Sequence, residues 1–97
     1  MTRHLGKSVG IIGTGQHYPE REVSNHDLSQ HLETDDEWIR TRTGISNRRI
    51  VDPGTGASEL AVPALLQALQ NAKVEPSELD AIIVATVTPD TLFPSTA

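Results

Sequence analysis

A single tryptophan, Trp38, stands two residues before Arg40 and four before Arg42 in the block TDDEWIRTRTGISNRR, residues 34–49. An indole with guanidinium groups at that spacing has the parts needed to stack a flat aromatic ring and hold its phosphates. Arg48 and Arg49 extend the cluster, and guanidinium forks match phosphate oxygens. A plainer account fits the same residues. The acidic run from Glu33 to Glu37 lies directly before the arginines, so they can serve in surface ion pairs, each contributing little. A lone tryptophan also belongs more often to a core than to a site. Residue types alone leave both accounts open.

Other chemistry is easier to exclude. The stretch GIIGTG supplies Gly13 and Gly15 for a dinucleotide fingerprint, but the third glycine position is Tyr18 and Pro19 follows where a helix should begin. A tight exit from a strand is the better reading. His4, His17, His26 and His31 contain no pair at the i, i+4 spacing of a helical metal site, so no metal site is expected. The chain has no cysteine, hence no disulfide, no Cys-based zinc site and no thiol nucleophile within these residues. Its net charge of −5 argues against nucleic acid or an anionic membrane as partner. The opening MTRHLGKS lacks the apolar core of a secretory signal, and no apolar run is long enough to span a bilayer. A soluble, cytoplasmic α/β protein, or part of one, is expected.

The elements that must position these residues follow from pattern. Ser8 to Gly15 reads as a buried strand entering a turn. Ser24 to Leu32 reads as a short helix, with Ser24 as N-cap and Asp27 in capping-box position. Thr34 with Glu37 repeats the pattern ahead of Trp38, and the acids there complement the helix dipole. Ile45 to Val51 is a weak strand, and Asp52 to Gly56 a turn. Ser58 to Lys73 is the clearest helix: Ala61, Leu65, Ala68, Leu69 and Ala72 share one face, with Pro63 near its start. Pro76 suits the first position of one short helical turn. Ala81 to Val87 is apolar throughout, as expected of a strand covered on both faces. Apolar strands separated by helices suggest a parallel sheet. Two strong strands make a poor finished sheet, so residues 1–97 read as one incomplete domain.

Taken as a block, TDDEWIRTRTGISNRR resembles the signature of the β-ketoacyl-acyl carrier protein synthase III family. IIGTG followed by YP, VSN with DL, and DAIIVATVTPDTLFPSTA resemble that family's N-terminus, in the right order and spacing. The resemblance implies the N-terminal portion of the first half of a thiolase-like fold, five-layered αβαβα when complete. It implies an acyltransferase that condenses an acyl-CoA primer with malonyl-acyl carrier protein to start fatty acid synthesis. No separate cofactor is implied, since the CoA thioester is substrate. The family's catalytic cysteine, histidine and asparagine have no counterpart here, so no catalytic residue is expected in this chain. By the same resemblance Trp38 stacks on the CoA adenine, Arg42 contacts the nucleotide, Thr34 lies beside the adenine, and Phe93 reaches across a homodimer into the partner's acyl pocket. Partners would be the substrates, the remainder of the same enzyme and a second copy. Two rivals remain: a related thiolase-fold acyltransferase of secondary metabolism, and a non-catalytic nucleotide-binding or interaction module.

Overall fold

The computed structural model describes residues 8–97. The chain divides into two compact units, Tyr18–Gly56 and a second formed by Ala57–Ala97 with the segment that ends at His17.

In the unit Tyr18–Gly56, strand β1 (Glu22–Ser24) runs straight into helix α1 (Asn25–Ser29). The expected capping box is present: the Ser24 hydroxyl accepts the Asp27 backbone N–H, and the Asp27 carboxylate accepts that of Ser24. These two bonds hold the Asp27 carboxyl below its ordinary value. The helix is shorter than the expected 24–32, and a turn follows it to Leu32. Helix α2 (Asp36–Thr43) comes next and ends at Gly44, whose φ of 73° is the left-handed geometry that glycine adopts without steric cost. Strand β2 (Asn47–Arg49) then pairs antiparallel with β1, Val23 opposite Arg48. The weak strand expected at 45–51 is thus real but three residues long, and β1 was missed. Ile39 is this unit's buried apolar residue.

The other unit is built on helix α3 (Ala57–Ala72), within a residue of its expected bounds and unbroken through Pro63. Its buried apolar residue is Leu69. Leu60, Ala64, Ala68 and Ala72 are partly covered, whereas Ala61 and Leu65 are exposed. Ala68, Leu69 and Ala72 thus lie on the expected face, and only its N-terminal half is displaced by one residue. Gly13 and Gly15 account for the displacement. A Cβ on Gly13 would lie 2.7 Å from the Ala72 Cβ, and one on Gly15 2.7 Å from the Ala68 backbone nitrogen. Glycine there lets the segment lie directly on the helix backbone. The Gln16 N–H donates to the Gln67 side chain at 2.7 Å, and Asn71 donates to the Thr14 carbonyl at 2.9 Å. Pro76–Glu78 forms the expected single turn, a 3-10 helix.

The parallel sheet anticipated from 8–15 and 81–87 is not formed among the described residues; the only sheet is the antiparallel pair β1–β2. A strand exists only with a hydrogen-bonded neighbour, and neither segment has one here. Their apolar side chains are correspondingly open: Val9, Ile11, Ile83 and Val87 are almost fully exposed.

Candidate nucleotide-handle site

Helix α2 carries the site. Its N-cap is Asp35, whose carboxylate accepts the Trp38 backbone N–H at 2.7 Å. Thr34 is not the cap, contrary to the capping-box reading. Aspartate and threonine both cap well, and only the backbone decides which of two neighbours does so. Thr34 instead sits in the preceding turn, its hydroxyl oxygen buried without a hydrogen-bond partner among the described residues.

At about 100° per residue, two groups of α2 side chains form edges about 110° apart. Asp36, Ile39 and Thr43 fall on one, where Ile39 is buried and Thr43 bonds back to the Ile39 carbonyl at 2.7 Å. Trp38 and Arg42, one turn apart, fall on the other. The indole is 53% exposed, so the tryptophan is no core residue. The Arg42 guanidinium carbon lies 4.3 Å from the ring centroid, inside the range of a cation–π contact.

The four arginines of the basic cluster have separate employments. Arg40 pairs with Asp36 at 3.4 Å, one turn back on α2. Arg48 donates to the Val23 carbonyl at 3.0 Å and to the Asn25 carboxamide oxygen at 2.6 Å. Arg49 lies over the Tyr18 ring, faces Glu22 at 3.9 Å, and donates to the carbonyls of Pro19 and Glu20. Arg42 alone has neither a hydrogen bond nor an ion pair among the described residues, so its N–H groups stay free for an anion. The ion-pair account therefore holds for Arg40 and Arg49, and Arg42 forms no such pair among the described residues.

Phe93 belongs to the other unit, in the loop after 81–87, and is 92% exposed. No group of three or more potential metal ligands occurs among the described residues, and no helix there is long and apolar enough to cross a membrane.

An exposed indole with a free guanidinium one turn on, behind an acid-capped helix start, is the geometry that the DEWIRTRTG block encodes, and comparison with known proteins places that block. A β-ketoacyl-[acyl-carrier-protein] synthase III of Desulfitobacterium hafniense strain Y51 is 52% identical over 90 residues, 93% of this chain and 27% of the relative. The chain matches the N-terminal part of β-ketoacyl-[acyl-carrier-protein] synthase III. The synthase III of Caldanaerobacter subterraneus is 54% identical over 90 residues. The solved synthase III of Aquifex aeolicus superposes with a TM-score of 0.84 at 49% identity, covering 90% of this chain and 28% of that one. The fold is accordingly α/β, an N-terminal portion of the thiolase-like architecture. A priming β-ketosynthase from the R1128 polyketide pathway superposes less fully, with a TM-score of 0.68 at 41% identity over 72% of the chain. No protein-family model matches. The chain spans 27% of the length of the synthase III relatives it matches first.

The Asn25 carboxamide went unnoticed in the sequence, where an asparagine after a capping serine reads as an ordinary helix start. It is the most deeply buried polar side chain described, 1% exposed.

Proposed function

We propose that this chain supplies the CoA-nucleotide handle of a β-ketoacyl-acyl carrier protein synthase III. The complete enzyme would transfer an acyl group from acyl-CoA to a cysteine lying outside these residues. It would then condense that group with malonyl-acyl carrier protein, with loss of carbon dioxide. The observation that carries this reading is the pairing of the exposed Trp38 indole with Arg42, the one arginine of the cluster without a polar partner among the described residues. The indole offers its face to adenine, Arg42 offers N–H groups to the nucleotide's phosphates, and Thr34 holds an unused hydroxyl in the turn before the helix. The CoA thioester is substrate, and no other cofactor is invoked. Phe93, exposed in its loop, is assigned to the acyl pocket of a second copy in a homodimer. A cytoplasmic location accords with substrates of this kind.

The reading is tested by grafting residues 8–97 into the Aquifex aeolicus synthase in place of its own counterpart. Trp38→Ala in the graft should weaken acyl-CoA binding by about 1–3 kcal/mol, the scale of one base–aromatic stack. Unchanged affinity, read by titration calorimetry, would sink it. A second reading, a primer-selecting ketosynthase of secondary metabolism, has the likeness to the R1128 enzyme in its favour. Primer preference of the graft, acetyl against longer or branched acyl-CoA, separates the two.

A further inference from the structure

The anchoring edge of α2 is held by Asn25. The side-chain nitrogen of Asn25 donates to Asp36 Oδ1 at 2.9 Å and to the Ile45 carbonyl at 2.8 Å. Its oxygen accepts from Arg48 Nη2 at 2.6 Å, and its backbone N–H donates to the Ser46 carbonyl at 2.9 Å. Both amide hydrogens and the oxygen are thus engaged, and the partners fix the orientation: acceptors on one side, a guanidinium donor on the other. Asp36 is the first residue of α2 and Ile45 directly follows Gly44, the helix's C-cap. One buried carboxamide therefore grips α2 at both ends, while Arg48 fastens that carboxamide to β2.

The grip falls about 110° around the helix from Trp38 and Arg42. On the other edge the indole is half exposed, and Arg42 is exposed with its guanidinium resting on the ring. The buried contacts that set the rotation of α2 about its axis then come chiefly from the Asp36 and Ile39 edge. A helix of eight residues is too short to be stable in isolation, so its placement rests on such external bonds.

We propose that Asn25 is a positioning residue for nucleotide binding: by holding both ends of α2 it sets the angle at which Trp38 meets the adenine. This rests on the nucleotide-handle reading. Isosteric Asn25→Leu removes all three side-chain bonds, to Asp36, the Ile45 carbonyl and Arg48, leaves Arg48 only its bond to the Val23 carbonyl, and frees α2 to shift. A misplaced handle weakens recognition of the nucleotide while the distant thioester chemistry is untouched, provided the primer needs no nucleotide.

The test uses the grafted synthase with two primers, acyl-CoA and the matching acyl-pantetheine, which lacks the nucleotide. Asn25→Leu should raise KM for acyl-CoA about tenfold, with kcat unchanged and the acyl-pantetheine KM unchanged. In a background carrying both Trp38→Ala and Arg42→Met the same substitution should have no further effect, because both groups it positions are gone. Equal losses with both primers, or an effect of Asn25→Leu that persists in that background, would assign Asn25 to stability alone and overturn the proposal while leaving the handle reading intact. If Trp38→Ala itself leaves the acyl-CoA KM unchanged, the handle reading falls first and the proposal with it. Should Asn25→Leu give no folded enzyme, Asp36→Ala takes its place, since that side chain is half exposed. It should give the same primer-selective rise, restored by Asp36→Asn, which keeps the acceptor for Asn25 but not the charge facing Arg40. A rise in Asp36→Asn equal to that in Asp36→Ala would assign the effect to the lost ion pair and also overturn the proposal.

Discussion

The carboxylate of Asp90 accepts the backbone N–H of Ser58 at 3.0 Å across 32 residues of chain, so the exit loop caps helix α3 from a distance. The bonds to Ser58 hold the Asp90 carboxyl below its ordinary value. A group whose pKa is lowered by folding binds fewer protons in the folded state, so it stabilises at neutral pH. That contribution fades as pH falls through the carboxylate range and is gone below the folded pKa. In the grafted synthase, Asp90→Ala should lower Tm at pH 7, and the gap to the parent should close in acid. A gap independent of pH would show that the carboxylate charge is irrelevant to the cap.

Lys73 closes α3 with a φ of 58°. The Val74 N–H reaches back to the Leu69 carbonyl and the Lys73 N–H to that of Gln70, a Schellman ending with lysine at the left-handed position. A residue bearing a Cβ costs roughly 1–2 kcal/mol there. Lys73→Gly should therefore stabilise by about 1 kcal/mol, measured by denaturant midpoint, against the usual penalty for placing glycine near a helix.

Among the described residues Arg42 is held only by the indole face, so its charge is available to an incoming phosphate. Arg42→Met keeps an apolar contact with Trp38 but removes the charge. The loss in acyl-CoA affinity should be large at low ionic strength and shrink as salt rises, because exposed charges are screened within about 10 Å at 0.1 M. A loss independent of salt would point to packing rather than charge.

Phe93 leaves an aromatic ring in water, which forgoes roughly 2 kcal/mol of burial. If a second subunit covers it at a two-fold interface, each copy lends the other the same ring. Phe93→Thr should then shift the ratio of kcat/KM for long against short acyl-CoA toward the long primer. A constant ratio accompanied by falling stability would make Phe93 ordinary packing.

Residues 1–97 expressed alone should lack a cooperative thermal transition. Ile39 and Leu69 are the only apolar residues buried among those described, and the segments 8–15 and 81–87 leave their side chains open. Sharp, dispersed amide NMR signals from this chain by itself would refute the expectation.

What could be read beforehand was whatever depends on neighbours in sequence. The Ser24–Asp27 box, the span of α3, the turn at Pro76 and the block around Trp38 are all set within a few residues, and the signature spacing carried the resemblance. What escaped depends on contacts distant along the chain. The β1–β2 ladder pairs the expected strand within 45–51 with Glu22–Ser24, a three-residue strand too polar to announce itself. Asn25 looks like any helix-start asparagine until Asp36, Ile45 and Arg48 are seen around it. The N-terminal half of the α3 face was displaced because two glycines, not large side chains, decide what the helix can touch.

Those glycines act as a notch. Gly13 faces Ala68 and Ala72, while Gly15 faces Ala64 and Ala68, so two residues of the segment advance as far as four residues of helix. An extended pair covers about 6.6 Å and four helical residues about 6.0 Å, and the two rulers nearly coincide. Matching rulers would let the segment slide by one division and find a similar alanine beneath it. Either shift, however, brings Ile11 or His17, the next positions on the same side, onto the helix backbone where no Cβ fits. The absence of two methyl groups thus selects one alignment from several that are otherwise equivalent. A single alanine at either glycine would be expected to do more than loosen the seam: it would erase the mark by which the chain tells one register from the next.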